Sequence, residues 1–239
     1  MIHIAIINAS TVLPDAEVQR AIPALQKQVS KHFYPIWGVN ARLVFTPKGV
    51  LPHKGYWWLA ILDNSDVANA LGYHDLSSEG LPLGKVFAGT DLQFGLSWTV
   101  TLSHELLEML ADPRINLTAQ IDGNTLYSFE VCDACEEDSL GYPIDGIQVS
   151  DFVTPQWFEP GRHPAGTAFD YKRHITAPLD LLPGGYISAL EFSRGKWVQI
   201  MADKRTARAE FKPGSRRSQR QKDRREWCCS TAHCDSDAA

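Results

Sequence analysis

Ser97-Trp98-Thr99-Val100-Thr101-Leu102-Ser103-His104-Glu105-Leu106-Leu107-Glu108-Met109-Leu110-Ala111-Asp112-Pro113 is the stretch that decides the fold. Ser97 is a good helix N-cap, and Pro113 stops the helix by lacking an N–H and restricting Asp112 before it. Val100, Leu102, Leu106, Leu107 and Leu110 clothe the other sides, so 97–112 reads as one buried helix. His104 and Glu108 lie one turn apart on a single face, Asp112 extends that line, and Glu105 leans over the same place. Surface helices often carry this spacing as solvated ion pairs. The apolar neighbours argue instead for burial, where an ionisable row needs partners to offset its desolvation. A His and a carboxylate at i and i+4, with a second carboxylate beside them, suit a divalent cation and a water bound to it.

Outward from this helix, Ile2–Asn8 reads as a buried first strand. It has no basic region and no small-residue cleavage site, so it is not read as a signal peptide, and cytoplasmic synthesis is expected. Val18, Ile22, Leu25, Val29 and Phe33 recur at helical spacing over Asp15 to Phe33, with Pro23 as a point of bending or splitting. Ala41–Thr46 and Tyr56–Asp63 read as strands, the latter nearly continuous in apolar residues and so buried on both faces. Asp66 to Asp75 reads as an irregular or helical link, Leu83–Gly89 as a further strand, and Thr90–Gly95 as a loop.

After the helix, Asp122-Gly123-Asn124 is a turn signal, and Thr125–Cys132 reads as a strand returning towards it. A catalytic zinc generally takes three protein ligands and keeps an open position. Beyond His104 and Glu108, Glu130 or Asp133 supplies the third; on one strand they would face opposite ways, and only a bend at Cys132 brings both in. Asp112 is the fallback, or else it caps the turn or orients His104 from behind. Gly141 to Pro183 is rich in Pro, Gly and aromatics and reads as ordered loops, with a short strand at Val149–Val153. Tyr186–Glu191 and Lys196–Met201 form a hairpin about Ser193-Arg194-Gly195.

The 239 residues suit one large domain or one domain with an appendage, and 44% hydrophobic with 21% charged residues is ordinary for a soluble globular chain. No run is long enough to span a membrane, so no membrane partner is expected. Five cysteines, an odd number, do not imply a full disulfide framework. A zinc site joining Cys132 and Cys135 to Cys228, Cys229, Cys234 and His233 is conceivable, but a second C-x-x-C is missing. The net charge of −5 hides a basic run over 204–225 that reads as a solvated tail, able to touch nucleic acid or an acidic protein. There is no phosphate-binding glycine loop and no serine-nucleophile motif. The chain thus divides into 1–112 with the site helix, a loop- and hairpin-rich 113–201, and a tail over 202–239.

The order strand, helix, strand, strand, strand, helix, together with His104-Glu105-x-x-Glu108, resembles the zincin metallopeptidases. The longer pattern His-Glu-x-x-Glu-x-x-x-Asp-Pro, Asn116 and Glu130-x-x-Asp133 is similar to uncharacterised zincin-like bacterial and phage proteins. Exordium-type proteins carry a similar pattern that varies at the Asp112 position. The resemblance implies an α+β fold, with a twisted mixed sheet, a backing helix and a site helix. It also implies a zinc peptidase in which Glu105 is the general base, and an edge strand at Lys85, Val86, Phe87 and Ala88 that binds extended peptide or protein substrate by strand addition. Where zincins carry a second His, this chain has Glu108, a harder ligand that leaves zinc or another divalent cation open. Tyr142, His163, Tyr171 and His174 are the candidate oxyanion donors. A second reading is a non-catalytic structural or interaction protein that keeps the fold, for example a phage virion component using its basic tail.

Overall fold

The computed structural model describes residues 1–66 and 70–202. The fold is α+β, with a five-stranded mixed sheet, a four-stranded antiparallel sheet and a two-stranded hairpin. The first sheet comprises β1 (Ile2–Asn8), β2 (Ala41–Thr46), β3 (Trp57–Leu62), β4 (Gly72–Leu76) and β5 (Pro82–Phe87), in the order β2-β1-β3-β5-β4. β1, β2, β3 and β5 are parallel, and β4 alone runs antiparallel, beside β5. Ile4, Ala5, Ile6, Leu59, Ala60 and Ile61 are all buried, as parallel strands covered on both faces require.

Helix α1 (Asp15–Lys27) runs straight through Pro23 and then widens into a π-helical turn, Gln28–Phe33, followed by the single turn α2 (Tyr34–Trp37). The departure from α geometry therefore falls after Pro23, at a turn where the buried Gln28 side chain donates to the carbonyl of Ser150. Helix α3 (Ala88–Gln93) occupies most of the segment expected as a loop over Thr90–Gly95. Helix α4 (Trp98–Ala111) is bounded by Ser97 and Asp112, as the sequence predicts. Ser97 is held from outside rather than by its own hydroxyl: its N–H donates to the Asp138 carboxylate at 2.6 Å. That carboxylate also suits the positive end of the helix. α4 crosses β3, β5 and β4, and the Trp98 indole donates to Glu17 of α1 at 3.3 Å.

Two strand expectations change in the first sheet. The segment read as a link contains β4, and the strand read as the sheet edge is internal. Ser77–Leu81 turns the chain back on itself, with the Ser77 N–H donating to the Leu81 carbonyl, so β4 and β5 form a hairpin that places β4 outermost. Lys85, Val86 and Phe87 consequently sit between two neighbours, and Ala88 begins α3. Lys85 is buried, ion-paired with Asp66, and its ammonium lies 5.0 Å over the Tyr73 ring.

The second sheet, ordered β11-β10-β7-β6, contains β6 (Thr118–Gln120), β7 (Thr125–Ser128), β10 (Tyr186–Glu191) and β11 (Lys196–Met201). β7 stops at Ser128, four residues short of the expected strand, and the chain bends into a 3-10 turn at Asp133–Cys135. β8 (Tyr142–Ile144) and β9 (Ile147–Val149) form the small hairpin, so the strand expected at Val149–Val153 lies earlier. No helix among the described residues is long and apolar enough to cross a membrane. The basic run 204–225 and Cys228, Cys229, Cys234 and His233 lie outside the described residues. Cys132 and Cys135 are buried free thiols.

Candidate metal centre

The buried face of α4 meets two other segments: β4 on one side, and the bend after β7 on the other. Both matter because α4 alone presents His104, Glu105 and Glu108 with two of the three deeply buried. Charges placed there require compensation from elsewhere in the chain.

The bend supplies Asp133. His104 Nε2 lies 3.3 Å from Glu108 Oε1 and 3.3 Å from Asp133 Oδ1. One potential ligand atom from each of His104, Glu108 and Asp133 falls within 4.8 Å of the other two. The Cys132 N–H donates to Glu108 Oε1 at 3.2 Å, so the bend and the helix are fastened together at the cluster. Tyr186 of β10 stands beside Asp133, close enough to favour its ionised form against the effect of burial.

β4 supplies His74, which is 2% exposed and therefore as deeply buried as the carboxylates it faces. Its Nδ1 lies 3.5 Å from Glu105 Oε2 and 3.6 Å from Glu108 Oε2, and its Nε2 lies 3.6 Å from Glu130 Oε2. Glu108 thus has one oxygen towards His104 and the other towards His74. Gly72, two residues before His74 and so on the same face of β4, leaves room for Glu105. A Cβ at Gly72 would lie 2.8 Å from Glu105 Cγ and 2.8 Å from its Oε1.

The charges are strongly biased. Burial disfavours a charged His104, but the Glu108 charge and hydrogen bonding with Asp133 and Glu108 outweigh it and hold the imidazole well above its ordinary value. Burial likewise works against ionised Glu108, yet His104 pulls its carboxyl down to about 2. Burial, reinforced by the Glu108 charge, pushes Asp133 up to about 7, and burial with the Asp133 charge pushes Glu136 up to about 8. Tyr186 is driven well above its usual value by burial and by the Asp133 charge, so its phenol remains a donor. This is a buried site with more carboxylates than it can keep ionised. A divalent cation fits such a donor set, because it would displace the His104 proton and neutralise Glu108 and Asp133 together.

The bend begins before Glu130, and the two downstream acids take different partners. Asp133 joins His104 and Glu108, whereas Glu130 faces His74. Asp112 is engaged at the end of the helix, where its carboxylate accepts the N–H groups of Asn116 and Leu117, each at 3.1 Å. It caps the turn, and the ligand groupings found among the described residues do not include it. The four candidate oxyanion donors are engaged elsewhere. Tyr142 is hydrogen-bonded to His32, and Tyr171 stacks on the same ring. His163 meets the Glu159 carbonyl, and His174 lies beside Asp151 and Asp170. The sequence reading missed His74 and Tyr186. Gly72-Tyr73-His74-Asp75-Leu76, followed by the turn formers Ser77 to Gly80, was the available signal for His74.

No family model, curated protein or solved structure matches this chain.

Proposed function

We infer that the protein is a metal-dependent peptidase, with zinc the first candidate, whose cation is held by His104, Glu108 and Asp133. The observation that carries this reading is the convergence of the partly buried His104 with the buried Glu108 and Asp133, from two segments 25 residues apart, beside a further carboxylate, Glu105. The zincin resemblance supports it, as does a mixed sheet that ends in an antiparallel edge strand packed against the site helix. That edge is β4, so the substrate strand is proposed to add there, next to Glu105, and not along Lys85 to Ala88.

When bound, the cation supplies a more acidic water and a polarised scissile carbonyl. Glu105 receives the proton and passes it to the leaving amine. Gly72 keeps the Glu105 carboxylate close against β4, where an extended peptide would lie. Tyr186, beside Asp133 and kept as a protonated phenol, takes the role of oxyanion donor in this reading. Removal of divalent ions with a chelator is expected to stop cleavage of quenched-fluorescence peptides, and zinc to restore it. Cleavage that survives chelation would contradict the reading.

One observation favours a non-catalytic reading. His74 stands within 3.6 Å of Glu105, Glu108 and Glu130, so an imidazolium there would offset part of their charge without any ion. A structural or interaction protein built this way would retain its fold after chelation and cleave no peptide before it.

A further inference from the structure

Far along the chain from the site helix, three side chains form a second grouping. Asp151 and Asp170 are completely buried, and His174 is exposed at its outer side. One potential ligand atom from each lies within 4.8 Å of the others. The backbone already holds three of the four carboxylate oxygens. Asp151 Oδ1 accepts the N–H groups of Phe152 at 2.8 Å and Lys172 at 3.2 Å. Asp170 Oδ2 accepts the His174 N–H at 2.9 Å, and Asp170 Oδ1 accepts that of Ile175 at 2.8 Å. The fourth, Asp151 Oδ2, is buried without a hydrogen-bond partner.

A lone carboxylate oxygen held dry against a second carboxylate is costly unless something positive lies between them. A nearby ammonium is turned elsewhere, since Lys172 Nζ lies 5.6 Å over the Tyr142 ring. Burial and the facing Asp170 push Asp151 up to about 9, which expresses the same conflict. A shared proton would relieve the repulsion but would leave the nearby imidazole without a role. A cation uses all three groups, and the exposed His174 gives it an entry path.

We propose that Asp151, Asp170 and His174 bind a divalent cation, separate from the His104 site, of the class that accepts mixed imidazole and carboxylate ligands, such as Mn²⁺ or Zn²⁺. The ion ties the 170–175 loop to Asp151. The consequence reaches the first site: Val153, two residues on, donates its N–H to the Val131 carbonyl at 2.7 Å, between Glu130 and Asp133. The second ion is therefore structural, and it stiffens the segment that carries the downstream acids.

Mn²⁺ is the suitable probe, because thiolates elsewhere in the chain compete poorly for it. Bound Mn²⁺ per full-length chain is counted by the loss of the free-ion electron paramagnetic resonance signal. His174→Ala, at an exposed position, is expected to bind one ion fewer than the wild type. Asp151→Asn, which preserves volume, is expected to lose the same ion. Glu108→Gln removes a different ion, so failure of this proposal and failure of the His104 site are read separately. Ion counts in both His174→Ala and Asp151→Asn equal to the wild type would overturn the proposal and leave a shared proton between the two aspartates.

Discussion

Glu105→Gln is expected to lower peptide hydrolysis by roughly 10²- to 10⁴-fold, the usual contribution of a positioned general base, while leaving cation binding in place. The isosteric amide keeps the packing against Gly72 and cannot accept the proton. Glu105 is not among the three groups assigned to the cation, so its replacement separates catalysis from binding. Metal content and kcat must be read on the same preparation. Loss of both together would make Glu105 a ligand, in line with the grouping it also forms with His74 and Glu108. Unchanged hydrolysis would remove it from the mechanism.

Gly72→Ala is expected to have the next largest effect, through a residue that carries no chemistry. The new methyl would lie 2.8 Å from Glu105 Cγ, and 2.9 Å from the Lys85 carbonyl oxygen on the neighbouring strand. The backbone side of that clash cannot be relieved by a rotamer change, so β4 must shift or Glu105 must leave its place. Overpacking of this kind costs about 1–3 kcal/mol, and a displacement near 1 Å at a catalytic group costs about 10²-fold in rate. The variant should melt at a lower temperature and cleave peptide about 100-fold more slowly, with its cation retained. A variant as active as the parent would show that the position of Glu105 against β4 is not used.

The α+β class and the site helix were legible because their signals are local. Ser97 and Pro113 bracket α4, and its apolar residues repeat with the helical period. β4 was not legible in the same way. It has only five residues, contains Gly72, His74 and Asp75, and is stabilised by hydrogen bonds to β5 rather than by its own composition. Missing it moved the sheet edge by one strand and hid His74, which is 31 residues from its nearest partner on α4, Glu105. Glu130 and Asp133 could be named but not ranked, because their orientation depends on where β7 ends. The end at Ser128 and the Cys132 N–H bond to Glu108 are tertiary facts. Tyr142, Tyr171, His163 and His174 were plausible donors by residue type alone. Tyr142 and Tyr171 are engaged by His32, more than a hundred residues away, while His163 and His174 are held by local contacts to Glu159 and Asp170.

Zinc content after exhaustive dialysis, compared between the wild type and Glu108→Gln, tests the central claim most directly. Thiols in the C-terminal run could hold zinc in both proteins, so the difference between them is the readout. The account predicts one zinc ion fewer per chain in Glu108→Gln, with the same deficit in Asp133→Asn. Equal zinc in wild type and both variants would contradict a cation held by His104, Glu108 and Asp133, and would leave the buried carboxylates to His74.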